Sequence, residues 1–278
     1  MVPNWTDKDP IIEVKNLKKD YVLGKGGWFW EKPEILHAVN DISFSVKKGE
    51  TLGIVGESGC GKSTAARLIA QLIEPTGGEV FYKGKSLSKI TGEQTREVRR
   101  DIQMIFQNPL ASLDPRKRIL QLLVEPLEIH GIGDGNSQKE KAFEMLKKVG
   151  LRPEHAYRYP HEFSGGQSQR INIARALMLE PKIVICDEPV SALDVSIQAQ
   201  VINLLIELQE QLDLTYLFIS HDLNVVRYFC DRIVVMYYGK IVEEGESEKI
   251  YNHPEHDYTK KLLAAIPGQR RAREQINE

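Results

Sequence analysis

Apolar and polar residues alternate along Ile42-Ser43-Phe44-Ser45-Val46, the period-two pattern of a strand with one buried face. Residues 11–17 predict a strand before it, and Lys47-Lys48-Gly49-Glu50 a turn after it. Residues 51–55 form a second apolar strand that runs straight into a glycine-rich stretch, 56–64. A helix is predicted over 65–72, stopped by Glu74-Pro75-Thr76-Gly77-Gly78. From about 108 to 180 the pattern turns mostly helical. There Ser137 with Glu140 predicts a capping box, opening a helix through Val149 after a loop at 131–136. Ile183-Val184-Ile185-Cys186 is continuously apolar, as a parallel strand buried on both faces is. Ile197, Val201, Leu204, Leu205, Leu208 and Leu212 recur at helical spacing. Residues 216–219, 233–236 and 241–243 read as further strands, and a mixed, polar extension follows from about Gly245. Strands alternating with helices predict an α/β fold with a parallel sheet, and the helical block predicts a subdomain inserted into it.

The glycine-rich stretch carries the first candidate chemistry. Gly56-Glu57-Ser58-Gly59-Cys60-Gly61-Lys62-Ser63-Thr64 matches the P-loop pattern in full, between a predicted strand and a predicted helix. Glycines let the backbone turn its N–H groups around phosphates, and the helix start adds partial positive charge. In such a loop Lys62 reaches the β- and γ-phosphates of ATP, and Ser63 offers a hydroxyl to Mg2+. Cys60 sits at a free position of the motif and reads as a small neutral residue, although a helix start can lower a thiol pKa and leave a cysteine open to alkylation. A second motif is the strand 183–186 ending in Asp187-Glu188. A carboxylate at a strand tip, Asp187, can hold Mg2+, and Glu188 can polarise an attacking water as general base.

Composition narrows the class. The chain has 278 residues with 41% hydrophobic and 27% charged, the balance of an ordinary globular protein. A net charge of −2 argues against a protein built to coat nucleic acid. Cys60, Cys186 and Cys230 are far apart and form no Cys-x-x-Cys pair, which speaks against a disulfide framework, a zinc site or an iron–sulfur cluster. No apolar run approaches the ~20 residues that span a bilayer, and residues 1–10 carry no signal-peptide core, so another chain must supply any membrane passage.

Phe163-Ser164-Gly165-Gly166-Gln167, followed by Ser168-Gln169-Arg170, gives the motifs a family. Ser164 is a good N-cap for a helix over 167–179, whose first N–H groups make a second anion site. The segment resembles the signature motif of ATP-binding cassette proteins, with Phe163 where Leu is commoner. The order of motifs is also that of the family: P-loop, Gln107, signature, Asp187-Glu188, Ser191-Ala192-Leu193-Asp194, then His221. Two stretches resemble the oligopeptide, dipeptide and nickel importer branch: residues 107–116 (QNPLASLDPR) and 253–267 (HPEHDYTKKLLAAIP). The insertion around Trp28-Phe29-Trp30 fits that branch too, as a membrane or partner contact or as packing over a sheet edge.

The resemblance implies a P-loop NTPase (RecA-like) core at 11–107 and 181–245, with an antiparallel β edge. It implies a helical signature subdomain at 108–180 and a C-terminal extension at 246–278. By the same resemblance Tyr21 stacks on adenine, and Gln107 touches Mg2+ and the attacking water. Asp194 lies in a loop that crosses to a partner, and His221 contacts the γ-phosphate and orients Glu188. Ser164, Gly165, Gly166 and Gln167 act on the ATP of a second cassette, so the resemblance implies a dimer, and in this branch a heterodimer. It further implies two multi-spanning permease subunits, an extracytoplasmic substrate-binding protein acting indirectly, and a place on the cytoplasmic face of a prokaryotic membrane. Some relatives carry cysteines in the C-terminal extension; this chain has none there, so no iron–sulfur centre is expected. The basic run 269–273 (QRRAR) reads as a solvated tail. A non-transport cassette ATPase of translation or DNA maintenance is the alternative. Such proteins commonly pair two cassettes in one chain or carry coiled coils or zinc modules, and none of these is visible in the sequence.

Overall fold

The computed structural model describes residues 5–23 and 34–265. The Trp28-Phe29-Trp30 segment and the 269–273 tail lie outside the described residues. The chain divides into two compact units, 1–89 with 218–278 and 90–217. Among the described residues no helix is long and apolar enough to cross a membrane.

The first unit opens with an antiparallel sheet of β1 (Ile12–Leu23), β2 (Glu34–Val46), β4 (Gly77–Tyr82) and β5 (Lys85–Ser86), in the order β2-β1-β4-β5. Its inner face is the predicted alternation: Ile12, Val14 and Leu17 pair with Val46, Phe44 and Ile42, all buried. Both strands run further than their buried face: Tyr21, Val22 and Leu23 of β1 and Ile35 and Leu36 of β2 are apolar yet exposed. A bulge interrupts β1 at Asn16, whose backbone adopts a positive φ of 47° and whose N–H donates to the Ser43 hydroxyl at 2.8 Å.

Between β1/β2 and β4 come β3 (Thr51–Val55), fully buried, and α1 (Lys62–Ile69). Strand β9 (Arg232–Tyr237) lies parallel to β3 and antiparallel to β10 (Lys240–Glu246). Helix α7 (Leu223–Phe229) packs over β3, and only a glycine at position 53 leaves room for it. A Cβ at Gly53 would stand 2.8 Å from a Val226 methyl and 2.9 Å from the Cys230 sulfur. Arg232 ties the unit together through Glu50 at 2.7 Å and through Glu244. The extension, read from sequence as merely polar, holds two helices, α8 (Ser247–Asn252) and α9 (Asp257–Ala264).

The second unit begins with α2 (Glu93–Asp101), a largely exposed helix that buries Val98 alone, and β6 (Ile102–Ile105). Helices α3 (Ile119–His130), α4 (Gly135–Lys148) and α5 (Gly165–Leu177) follow, with no strand between β6 and β7. β7 (Ile183–Asp187) is buried on both faces and pairs parallel with β6, Ile102 opposite Ile183 and Ile105 opposite Cys186. α6 (Val195–Leu212) closes the unit, and β8 (Thr215–Ser220) runs through the boundary between the two.

The capping box of α4 is not Ser137 with Glu140. Asp134 is the N-cap: its carboxylate accepts the Ser137 N–H at 2.9 Å, and the Ser137 hydroxyl accepts the Asp134 N–H at 2.9 Å. A carboxylate at the N-cap outcompetes a hydroxyl three residues later, so the helix starts at Gly135, inside the segment read as loop.

Candidate functional site

Three glycines shape the turn from β3 into α1. Gly56 and Gly61 have φ of 151° and 107°, conformations that side chains resist. Each also meets backbone: a Cβ at Gly56 would overlap the Met236 carbonyl oxygen, and one at Gly61 the Ala38 carbonyl oxygen. Neither position admits even alanine without moving the loop, whereas Gly59, with φ of 81°, faces open space. α1 therefore starts at Lys62, three residues earlier than its apolar pattern, behind a glycine N-cap with no side-chain cap on its first turn. With no side-chain cap there, its leading N–H groups and the positive end of the helix are suited to an anion.

Lys62 is buried. Its ammonium donates to the carbonyls of Gly56 at 2.7 Å and Glu57 at 2.8 Å, which keeps the charge at the mouth of the loop. Ser63 and Thr64 are half-buried beside it, and Glu57, Ser58 and Gly59 form the exposed rim. Cys60 fits the small, neutral residue that the motif allows at this position. Its thiol is buried, and desolvation raises its pKa; the Lys62 charge offsets this only in part. Burial likewise pushes up the thiol of Cys186.

In the second unit β7 delivers Asp187, buried at its tip, and then the chain turns sharply. Glu188 has a positive φ of 48°. For a residue with a long side chain this costs about 1–3 kcal/mol and persists only where the surroundings enforce it. Its carbonyl accepts the Ser191 hydroxyl at 3.1 Å, which holds the turn. The turn leaves the Glu188 carboxylate half-exposed, where the Gln107 amide donates to it at 2.9 Å. The two residues come from segments 81 positions apart, and their direct contact was not legible in the sequence. Strand β6, parallel to β7, brings Gln107 there just beyond its end.

The signature segment is a helix start with a reciprocal cap. The Ser164 hydroxyl accepts the Gln167 N–H at 3.4 Å, and the Gln167 side chain accepts the Ser164 N–H at 3.1 Å. Ser164 and Gly165 are exposed, and Gly166 and Gln167 half-buried. A Cβ on Gly166 would come within 2.5 Å of an Ile197 methyl, so glycine there lets α6 lie against the signature helix. Asp194 is exposed as the N-cap residue of α6. His221 is exposed just after β8, in front of the Asp222 carboxylate that caps α7 at 2.8 Å. Tyr21 is 39% exposed near the outer end of β1, with the Lys19 ammonium 5.4 Å from its ring centre. The geometry adds one residue the motif reading passed over: Tyr258 of α9, whose hydroxyl accepts the Glu57 N–H at 2.9 Å.

Among the described residues no cluster of three or more His, Cys, Asp or Glu could hold a metal alone. A hard cation bound by Asp187 or Ser63 would take its remaining ligands from water and phosphate oxygens, which suits Mg2+.

The ABC transporter domain family matches residues 39–191, more than half of the chain. The chain belongs to that family. It is 53% identical over 262 residues to the oligopeptide transport ATP-binding protein AppF of Bacillus subtilis, covering 94% of this chain and 79% of AppF. It is 52% identical to the oligopeptide transport ATP-binding protein OppF of Haemophilus influenzae, over 94% of this chain and 79% of OppF. With the dipeptide transport ATP-binding protein DppF of Escherichia coli it shares 50%, over 94% and 78%. The ATP-binding cassette MJ0796, solved as a dimer in a post-hydrolysis state bound to ADP and Pi, matches with a TM-score of 0.74 at 33% identity, over 85% of this chain and 98% of that one. The fold of cbiO1 from Clostridium perfringens matches with a TM-score of 0.76, over 97% of this chain and all of that one. The fold of this ABC cassette is thus the P-loop NTPase fold expected from the motifs, and as an ABC transporter ATPase it hydrolyses ATP to power transport.

Proposed function

We propose that this cassette is an ATP-hydrolysing subunit of an importer of oligopeptides or dipeptides, bound peripherally to the cytoplasmic face of a prokaryotic membrane through two permease subunits. Identities of 50–53% across nearly the whole chain to peptide-transport ATPases of the F type carry this reading. The non-transport alternative has no comparable support. The test is uptake of labelled di- and oligopeptides by cells lacking the chain. Loss of peptide accumulation, restored by the intact chain, is expected; unchanged peptide uptake with loss of nickel or sugar uptake would overturn the cargo.

In the chemistry we propose, the P-loop and Lys62 hold the phosphates, Tyr21 stacks on the adenine, and Ser63, Gln107 and Asp187 hold Mg2+. Bound there, Mg2+ would neutralise charge developing on the phosphate oxygens. Glu188 takes a proton from the attacking water, with Gln107 fixing its carboxylate and His221 contacting the γ-phosphate. Residues 11–107 and 181–245 serve as the nucleotide core, 108–180 as the signature subdomain and 246–278 as an extension.

The exposed, capped helix start at Ser164 is a second phosphate site, and we assign it to the ATP of a partner cassette. The dimeric state of MJ0796 supports this. We take the partner to be a different cassette, with an extracytoplasmic binding protein delivering cargo to the permeases. A ligand shifts such an open–closed equilibrium only by its differential affinity, and a γ-phosphate contacted by both chains supplies one. Ser164→Arg should therefore leave ATP affinity of the isolated chain within about twofold of native and abolish cooperative hydrolysis. An equal loss of binding in the isolated chain would contradict the trans assignment.

A further inference from the structure

The C-terminal extension is physically tied to the phosphate loop. Two backbone N–H groups ahead of α9, those of Glu255 and His256, donate to the Glu243 carboxylate of β10 at 2.8 and 3.0 Å. The His256 ring then caps the helix by accepting the Tyr258 N–H at 3.1 Å. Thr259 and Leu263 are buried, so α9 is docked along its length rather than draped over the surface. Tyr258 is buried as well, its ring 4.0 Å from that of Tyr237 at the end of β9. This leaves one direction for its hydroxyl, and there it accepts the Glu57 N–H at 2.9 Å.

Glu57 is the residue after the strained Gly56, at the first variable position of the loop. Its backbone groups are held from two sides: the N–H by Tyr258, and the C=O by the Lys62 ammonium at 2.8 Å and the Cys60 N–H at 3.3 Å. Lys62 also holds the Gly56 carbonyl. An ammonium has three N–H donors. If Lys62 turns to both a β- and a γ-phosphate oxygen, the demand becomes four, and at least one backbone carbonyl is released. The hold from Tyr258 does not draw on the Lys62 ammonium, because it uses a backbone N–H, which an ammonium cannot bond, and a hydroxyl from outside the loop. Together with the Cys60 N–H it therefore keeps the Glu57 end of the loop in place when Lys62 is drawn to phosphate.

We infer that Tyr258 is a positioning residue of the phosphate loop, and that through it the docked C-terminal extension sets the affinity of this cassette for ATP. The inference rests on the reading of the loop as the ATP site. A loop that spends part of its time out of the cradle shape binds in proportion to the fraction in that shape, so loosening it weakens affinity without altering the chemistry of a bound nucleotide. Coupling between binding and docking is also reciprocal: if α9 stabilises the cradle, ATP must stabilise the docking of α9.

The test is Tyr258→Phe in the full chain, which keeps the ring against Tyr237 and removes only the acceptor. Removing the acceptor of this part-buried N–H loosens the cradle, so ATP affinity measured by calorimetric titration should fall about fivefold or more. The KM for ATP should rise in step, while kcat at saturating ATP stays within about twofold. Hydrogen exchange supplies the second readout: ATP should slow exchange of residues 257–264 in the native chain and lose that effect in the variant. A role confined to packing would lower the melting temperature and leave ATP affinity within twofold of native; that result overturns the inference. No ATP-dependent protection of 257–264 in a native chain that binds ATP would overturn it too. If the native chain fails to bind ATP at all, the reading of the loop falls, and the inference with it.

Discussion

Glu188→Gln should bind ATP with near-native affinity and turn it over at least about a hundredfold more slowly, the scale on which a positioned general base contributes. The substitution keeps size and hydrogen bonding and removes the ability to take a proton. Glu188 is the right residue to ask. The chain holds it with a φ of 48° at the end of β7, a strained conformation of the kind that active sites often hold. The Gln107 amide at 2.9 Å then fixes one carboxylate oxygen. With hydrolysis blocked, the dimer closed around ATP should persist, so size-exclusion chromatography in Mg·ATP should show a dimer. Near-native turnover by the variant would remove Glu188 from the mechanism.

Lys62→Ala should act one step earlier, on binding itself. Hydrogen bonds to charged groups contribute about 1.5–3 kcal/mol each, so losing the ammonium should weaken ATP by roughly tenfold to a hundredfold. The variant also loses the contacts of Lys62 to the Gly56 and Glu57 carbonyls, which draw the loop together. The comparison with AMP separates these effects. AMP lacks the β- and γ-phosphates that the proposal assigns to Lys62, so its affinity should change less than that of ATP. Equal losses for the two ligands would mean that Lys62 organises the loop without meeting phosphate, and unchanged ATP affinity would contradict the phosphate role altogether.

The buried strands β3 and β7 were plain in the sequence because parallel strands covered on both faces read as unbroken apolar runs. Their junctions with charged or glycine-rich motifs made the chemistry legible at the same points. What escaped was structure whose signal is weak or non-local. α2 is nearly all polar, with only Val98 buried, and offers no apolar stripe to read. The outer half of β1 is held by pairing with β2, not by burial, so alternation stops at Leu17 while the strand continues to Leu23. α1 begins at Lys62 because backbone geometry at Gly61 starts it, and side-chain periodicity sees only from Ala65 onward. At Cys60 burial outweighs the neighbouring Lys62 charge and raises the thiol pKa, a balance that no local pattern reports.

The candidate site divides along the same line. Residue types with their own chemistry, such as the P-loop, Asp187-Glu188 and Ser164, announced themselves by spacing. The Gln107 amide on Glu188 and the Tyr258 hydroxyl on Glu57 join positions 81 and 201 residues apart. Pairings over such separations are set by sheet order and helix docking, which no local pattern encodes.

The most direct test of the central claim is recovery of the tagged chain from its native membranes in mild detergent, with its partners identified by mass. The account predicts a second cassette and two multi-spanning permease subunits in the recovered complex. Recovery with ribosomal or DNA-maintenance proteins, or without any membrane partner, would contradict the transporter assignment.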